Sequence, residues 1–418
     1  MGSVSEAEFS EKGAQPGENL RDDRALGNRE RVPAIGLKEY WYPALPEKKV
    51  GRKKPVEVKL LGERLTFFRD DKDEVVAVHA TCPHRGASLS FGTSHFKGTL
   101  TCPYHGWTFD AKGNCLAVLG EGPGSTIPGA KGTKVRDYPT RTLKGIVFVW
   151  MGDGPAAPIE EDIAWELFDP NIAVMSSQSV WNANWRPGIE NFLDAHVYYV
   201  HRNSAEVLIQ PTGGLLMVLH QGTTRPELHA VNERLLCVKP GGTSTLDYVD
   251  REKGKAAMRE FQDVFPALGG AKWPPTRARL YASKVFGLFR GLFKPRPPLS
   301  TDPEWGTGMH LPATMHFDFR LGTFTRCQVP IDEHSTRQFF FCSWRARNAW
   351  QRLFWAVYFN VWFDWKHCKN FSGQDAVMAE ISDYSAPERL SSTDVFMRTW
   401  RRFVLEHARD FKRRKQAG

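Results

Sequence analysis

The sequence has no long apolar run, and this argues against a membrane-spanning helix. Its longest aromatic-rich stretch, LFWAVYFNVWF at 353–363, is short and ends at charged residues on both sides, Arg352 and Asp364. A span needs about 20 apolar residues. The N-terminal stretch 1–31 is polar and charged, without the apolar segment of a secretion signal. We therefore predict a soluble cytoplasmic protein with no transmembrane segment.

Cysteine is also scarce. The chain has 7 cysteines in 418 residues, an odd number that is too sparse for a fold held by disulfides. Five of them stand singly in apolar or strand-like surroundings, and we predict that they are small buried core residues: Cys115, Cys237, Cys327, Cys342 and Cys368. The other two, Cys82 and Cys102, each belong to a short motif that also contains a histidine.

The net charge is positive, +9 at pH 7. The basic residues cluster in GRKKP at 51–55 and FKRRKQ at 411–416, with no recognition-helix pattern and no basic block interleaved with aromatic residues. These features predict no nucleic-acid partner. Such charge is typical of a solvated surface, and an acidic electron-transfer protein is the functional alternative.

Short β-type segments dominate residues 38–152. VEVKLLG, RLTFFRD, EVVAVHA and GIVFVWMG are rich in β-branched and aromatic residues, with turn signals such as DDKDE and AKGN between them. The pattern predicts an all-β domain over 38–152, preceded by a flexible N-terminal arm over 1–37. The composition of GDGPAAP at 152–158 is typical of a linker.

Residues 153–418 mix strands and helices. Strand-like segments such as RQFFFCSW are followed by two long helical segments, predicted over 349–371 and 388–414. This order indicates an α+β domain, with an antiparallel sheet and helices grouped on one side. The basic and apolar insertion at 276–300 is predicted to be a core helix or packed loop; a pocket cover or a membrane-surface segment remains the alternative.

Two motifs near the middle of the β domain suggest a metal site. Cys82-x-His84 and Cys102-x-x-His105 lie at two predicted loop tips, with one connecting segment between them. Zinc accepts two cysteines and two histidines, although zinc fingers usually have a Cys-Cys pair followed by a His-His pair. A Rieske [2Fe-2S] centre takes two thiolates on one iron and two imidazoles on the other. One Cys and one His in each arm suits that centre.

CPHRG and CPYHGW, together with the upstream YWYPALPE, resemble the Rieske non-haem iron ring-hydroxylating oxygenases, in their α (oxygenase) subunit. The resemblance implies that Cys82, His84, Cys102 and His105 bind the cluster. It also implies a Rieske β domain followed by a helix-grip catalytic domain with a mononuclear iron. Arg85, Tyr104 and Trp107 are candidates for the surroundings of the cluster, or for packing.

The second domain contains an H-x4-H pair, His196 and His201, on a predicted helix. Two imidazoles and one carboxylate form the facial triad of non-haem Fe(II) oxygenases. ENFLDAH is similar to the family's iron-binding helix, which implies that both histidines are ligands. For the third ligand the resemblance favours Asp375, with Glu380 as the alternative.

Asp194 is the candidate for the family's bridging acid, which carries electrons from a Rieske histidine of a neighbouring subunit. It lies two residues before His196, whereas the family usually has three, and this shortened spacing turns the side chain by about 100° on a regular helix. Asn191 is the fallback.

The resemblance implies a terminal oxygenase that uses O2 and electrons from a ferredoxin or flavin-dependent reductase. Family members commonly form trimers. No dinucleotide-binding fingerprint is present, which predicts separate reductase partners. The Trp- and Phe-rich region at 339–371 suits a hydrophobic, aromatic or polycyclic substrate, or else core packing. Oxidative O- or N-demethylation, a Rieske electron carrier without catalytic iron, and a zinc-stabilised module remain alternatives, and the need for a β-subunit is open.

Overall fold

The computed structural model of the chain describes residues 29–191, 200–201, 204–205, 228–238, 276–278, 281–282, 285, 308–319, 322–390 and 394–417. These residues divide into two compact units. The first unit comprises 34–185, 322–355 and 413–418, and the second comprises 1–33, 186–321 and 356–412. Asp194, His196 and most of the predicted insertion at 276–300 lie outside the described residues.

The predicted β domain is made of short antiparallel strands. In chain order they are β1 Trp41–Pro46, β2 Val56–Leu60, β3 Glu63–Arg69, β4 Val75–His79, β5 Leu100–Thr101, β6 Trp107–Phe109, β7 Cys115–Val118, β8 Asp137–Tyr138, β9 Thr140–Leu143 and β10 Ile146–Trp150. They form three sheets, in the orders β1-β10-β9, β2-β3-β4-β8 and β5-β6-β7. Every residue of β10, IVFVW, is buried, as expected for a continuous apolar run of this length.

The first unit also contains part of the predicted α+β region. Strand β11 Ile172–Trp181 pairs in antiparallel register with β17 Thr336–Arg345, which in turn pairs with β16 Gly322–Pro330. All nine residues of β16 are buried.

The second unit holds an antiparallel meander. Its strands are β12 Leu228–Ala230, β13 Leu235–Val238, β14 Gly308–His310 and β15 Thr314–Phe319, each paired with the next. Strands and helices together confirm the predicted fold class, an all-β domain followed by an antiparallel sheet with helices.

The helices differ in detail from the prediction. The segment predicted as one helix over 349–371 is an α-helix only over Ala349–Tyr358 and continues as a π-helix over Phe359–Phe371. An α-helix over Ser372–Ile381 follows directly. A single helix is predicted over 388–414, but Glu388 to Leu390 are non-helical and the observed helix begins at Val395. It is divided at Ala408 into two helices, Val395–His407 and Arg409–Ala417.

The end of the predicted N-terminal arm is packed rather than loose. Val32 is 2% exposed and Leu37 is fully buried, so apolar burial holds residues 29–37 in place. All seven cysteines are buried and free of disulfides, which confirms the prediction for the five isolated ones. Within the described ranges, no helix has the length and apolar character that crossing a bilayer requires.

Candidate metal centres

The first predicted cluster arm is a tight turn that follows β4. Cys82 N–H donates to the carbonyl of Ala87 at 2.9 Å, and Gly86 N–H donates back to the carbonyl of Cys82 at 3.0 Å. Gly86 has a φ of +74°, a conformation that residues with a Cβ rarely adopt. The glycine of CPHRG therefore reverses the chain and leaves His84 exposed at the tip.

The second arm, which joins β5 to β6, is built in the same way. Cys102 N–H donates to the carbonyl of Trp107 at 2.7 Å, and Gly106 N–H donates to the carbonyl of Cys102 at 3.2 Å. Gly106 has a φ of +69°, and a Cβ here would lie 2.8 Å from Cβ of Leu119. A glycine is thus required in CPYHGW for both conformation and space.

The two arms place their sulfurs inside and their imidazoles outside. Cys82 and Cys102 are 1% and 3% exposed and belong to the apolar core of the domain. Burial, with Cys102 beside it, raises the pKa of the Cys82 thiol to about 12. The rings of His84 and His105 lie nearer the surface, with their centroids 4.5 Å apart.

Aromatic rings hold both histidines. His84 stacks on Trp107, with centroids 5.0 Å apart and planes at 5°, and His105 contacts Tyr104 at 3.7 Å. Partial burial and the neighbouring His84 and Arg85 lower the pKa of His105, which favours the neutral imidazole that binds metals. Trp107 is 8% exposed and packs in the core of the domain, whereas Tyr104 is 57% exposed and lies at the surface.

The donor set fits a [2Fe-2S] cluster. His105 Nδ1 is buried and has no hydrogen-bond partner among the residues of the described structure. This is expected of a ring nitrogen whose lone pair binds a metal ion. The described residues contain no group of three or more His, Cys, Asp or Glu side chains around one point. A Rieske cluster does not need one, because each iron takes only two protein ligands.

A second pair of metal-type ligands lies in the second unit. His201 Nε2 is 2.9 Å from Asp375 Oδ1, although the two residues are far apart in the chain. Both side chains are buried, with 0% and 5% exposure. Two ligands that bind one metal at right angles, each at about 2.1 Å, lie about 3 Å apart. The observed distance fits two corners of a facial triad.

Gln374 is a functional candidate that the sequence reasoning missed. Its Oε1 lies 2.8 Å from Nδ1 of His201. Because Oε1 can only accept, Nδ1 carries the proton and Nε2 keeps its lone pair for a metal. Phe371 stacks on the same imidazole, with centroids 3.7 Å apart. A glutamine directly before the predicted acidic ligand was the available signal.

The alternative residues lie elsewhere. Glu380 is five residues beyond Asp375 on the helix Ser372–Ile381, which places it about 140° away around the axis. Asn191 closes the turn after Trp185–Glu190, where its N–H donates to the carbonyl of Pro187. The structure therefore brings together His201 and Asp375; Asp194 and His196 lie outside the described residues, and their roles stay predictions.

Comparison with known proteins agrees with this geometry. Residues 40–138 match the Rieske [2Fe-2S] domain, and residues 150–233 match the homotrimeric ring hydroxylase family. The terminal oxygenase component of carbazole 1,9a-dioxygenase from Sphingomonas sp. is 35% identical over 184 residues, 43% of this chain and 48% of that protein. The oxygenase subunit of 5,5'-dehydrodivanillate O-demethylase from Sphingobium sp. is 33% identical over 185 residues, 42% of each.

Solved structures extend the likeness to the whole fold. The terminal oxygenase of carbazole 1,9a-dioxygenase from Nocardioides aromaticivorans IC177 aligns with a TM-score of 0.67 at 22% identity, covering 93% of this chain and 98% of that one. In sequence, the alignments span about half the length of the curated relatives.

A Rieske domain followed by a ring-hydroxylase domain is the combination found in Rieske oxygenase α-subunits. This chain contains a Rieske [2Fe-2S] domain followed by a segment of the homotrimeric ring hydroxylase family, the combination that its motifs predict.

Proposed function

We propose that this protein is the terminal oxygenase component of a multicomponent Rieske system. It would hydroxylate a hydrophobic, aromatic or polycyclic substrate with O2. The observation that carries the proposal is the buried pair His201 and Asp375, at 2.9 Å, in a chain that also holds a Rieske domain. A simple electron carrier would not need a second buried set of metal-type ligands.

The proposed domains are a Rieske domain over 38–152 and a catalytic domain over 153–418. In the first, Cys82, His84, Cys102 and His105 would hold the [2Fe-2S] cluster. In the second, His196, His201 and Asp375 would hold the mononuclear Fe(II). The cluster supplies single electrons, and the Fe(II) supplies open coordination positions where O2 is activated.

The chain's own residues orient the ligands and exclude water from the second centre. Gln374 fixes the tautomer of His201, and Phe371 covers one face of its ring. Trp362 and Trp365, on the π-helix, form a buried apolar cluster with Ala205, which lies four residues after His201 in the chain. An apolar cluster close in the chain to His201 would suit an apolar substrate and would keep water away from the bound iron.

The proposed electron donors are a ferredoxin and a separate flavin-dependent reductase. Solved structural neighbours include oxygenase–ferredoxin complexes of carbazole 1,9a-dioxygenase. In this chain His84 and Tyr104 are exposed at the tips of the cluster arms, where a donor can approach. Because both proposed donors are proteins of the reducing cytoplasm, we propose the same compartment for this chain.

The last part of the proposal concerns the oligomeric state and the route of electrons to the iron. The matched ring hydroxylase family is described as homotrimeric, and we propose a homotrimer. Asp194 would be the bridge by which the cluster of one subunit serves the iron of its neighbour. The proposal takes its support from the similarity of ENFLDAH to the family's iron-binding helix, although Asp194 lies two residues before His196 where the family usually has three.

Oxidative O-demethylation is the second candidate reaction. Its support is the O-demethylase oxygenase subunit from Sphingobium sp., which is 33% identical, against 35% for the carbazole enzyme. Because both reactions use the same iron ligands, the described site does not separate them.

Metal analysis with spectroscopy tests the proposal. Anaerobically purified protein should contain about three irons and two acid-labile sulfides per chain, with a Rieske-type EPR signal on reduction. With a reduced ferredoxin, carbazole-like and methoxylated aromatic compounds should then stimulate O2 uptake. Zinc without sulfide would end the oxygenase proposal. Two irons that do not become three after Fe(II) loading would leave an electron carrier.

A further inference from the structure

A buried network of charged residues includes Glu190, which lies close in the chain to the predicted iron ligands. At its centre Arg401, on the helix Val395–His407, is 1% exposed. Two carboxylates bind its guanidinium, each through two hydrogen bonds. Nε and Nη2 donate to Glu190 at 2.7 and 2.8 Å, and Nη1 and Nη2 donate to Glu388 at 2.7 Å each.

Further residues complete the surroundings of this network. Tyr384 donates its hydroxyl to Glu190 at 3.2 Å, and its ring lies under the guanidiniums of Arg186, at 4.7 Å, and Arg29, at 5.2 Å. Arg186 in turn donates to the carbonyl of Val32. A planar guanidinium with bidentate partners fixes direction as well as distance, which a lysine could not do.

The position of Glu190 in the chain connects the network to the predicted iron ligands. Glu190 is the last residue of the helix Trp185–Glu190, and Asp194 and His196 follow four and six residues later. At the other end of this segment, His201 is held by Gln374, and Ala205 N–H donates to Asn370 Oδ1 at 2.7 Å. The described residues on both sides of this segment are therefore each held by side-chain contacts within one unit.

We propose that Arg401 is a positioning residue for the mononuclear iron, acting through Glu190. The guanidinium fixes the point at which the chain leaves the helix Trp185–Glu190 and thereby sets where the ligand-bearing segment begins. Glu388 accepts hydrogen bonds from the opposite side of Arg401 and is not joined in the chain to the ligand-bearing segment. The inference rests on the proposed function, since it requires an iron at His201 and Asp375.

Buried ion pairs are often of little net benefit to stability, because desolvation offsets the attraction between the charges. Because Glu190 directly precedes the predicted ligands in the chain, we infer that the network orients them rather than stabilises the fold. Residues that orient metal ligands typically change metal affinity by about 10- to 100-fold when they are replaced.

The experiment compares two matched variants, Glu190→Gln and Glu388→Gln. Each removes one negative charge from the same guanidinium, but only Glu190 is joined directly to the ligand-bearing segment. The catalytic site is emptied of iron and titrated anaerobically with Fe(II) against a coloured chelator. We expect Glu190→Gln to weaken Fe(II) binding by about 10- to 100-fold and Glu388→Gln by less than about 3-fold. The Rieske EPR signal should stay unchanged in both.

Glu190→Asp provides a second test if Glu190→Gln does not fold. It keeps the charge and shortens the side chain by one methylene, so it should weaken Fe(II) binding while the protein still unfolds near the wild-type temperature. Equal Fe(II) affinity in wild-type protein and the Glu190 variants, or equal losses from Glu190→Gln and Glu388→Gln, would overturn the inference. Failure of wild-type protein itself to bind Fe(II) at this site would instead overturn the proposed function.

Discussion

His201 is held by neighbours of two different kinds, an amide at its Nδ1 and an aromatic ring on its face. Replacing Gln374 with leucine keeps a similar volume and removes the acceptor at 2.8 Å. The imidazole is then free to change tautomer, and its Nδ1–H loses its partner. We expect Fe(II) to bind about 10- to 100-fold more weakly, as measured by anaerobic titration with the Rieske signal as an internal standard.

Gln374→Glu is the matched variant for this prediction. A carboxylate still accepts the Nδ1 proton, so Fe(II) affinity should stay within about 3-fold of the wild type. Similar losses in the leucine and glutamate variants would show that the side chain of Gln374 fills space without orienting His201.

The two aromatic residues of CPYHGW should behave differently when replaced. Trp107 is 8% exposed and lies flat under His84, whereas Tyr104 is 57% exposed. Trp107→Ala should destabilise the Rieske domain by about 3 kcal/mol, while Tyr104→Ala should change stability by less than about 0.5 kcal/mol. Thermal unfolding followed by loss of the cluster's visible absorption measures both. Equal effects of the two substitutions would contradict the packing role assigned to Trp107.

At this scale the sequence is informative where ligands are close together in the chain. Cys82, His84, Cys102 and His105 could be predicted because each arm contains a thiol and an imidazole within one short motif. The role of Gln374 could not be predicted, because its place beside Asp375 is a weak signal and its contact with His201 spans 173 residues. A glutamine has many uses in a helix, and only the fold shows which atom it faces.

Among the elements of the first unit, the short 3-10 helix Trp165–Leu167 is attached to β16 through a buried carboxyl. Glu166 is fully buried and accepts a hydrogen bond from Thr323. Burial raises the pKa of Glu166 from 4.5 to about 7. Between these two pH values the folded protein keeps a proton that the unfolded chain has released. Stability should therefore fall as pH rises through this window, by about 3 kcal/mol in total.

Glu166→Gln removes this dependence because an amide does not titrate. The variant should lose less stability than wild-type protein as the pH rises from 4.5 to about 7, with unfolding temperature as the measurement. Glu160→Gln, on the exposed surface of the preceding 3-10 helix, removes the same charge and serves as control. Parallel pH profiles for wild-type protein and Glu166→Gln would show that the carboxyl is ionised in the folded state.

Elements with a simple apolar pattern could be predicted, and those that depend on tertiary contacts could not. RQFFFCSW and GIVFVWMG are strands because their residues suit a buried pleated surface. The π-helix Phe359–Phe371 looks like any aromatic-rich helix in sequence, since α- and π-helices use the same residue types. Glu388 is predicted to begin the last long helix but lies before its observed start at Val395, and its carboxylate binds Arg401.

For the whole molecule, the motifs together with the family resemblance imply two metal centres in two domains. The fold places Asp375 beside His201 and supports the choice of Asp375 over Glu380. The route between the two centres is a property of the assembly, which a single chain does not define. That route can be tested without knowing the geometry of the trimer.

Hybrid trimers distinguish electron transfer between subunits from electron transfer within one subunit. Cys102→Ser removes the cluster from a chain, and His201→Ala removes the mononuclear iron. If each cluster serves the iron of the next subunit, every mixed trimer in a closed ring has one productive pair out of three. Doubly tagged hybrids should therefore show about one third of the wild-type O2 uptake with reduced ferredoxin and an aromatic substrate. Homotrimers of either variant, mixed without subunit exchange, should show none. Inactive hybrids of verified composition would mean that each cluster serves only its own chain, and the bridging role proposed for Asp194 would fail.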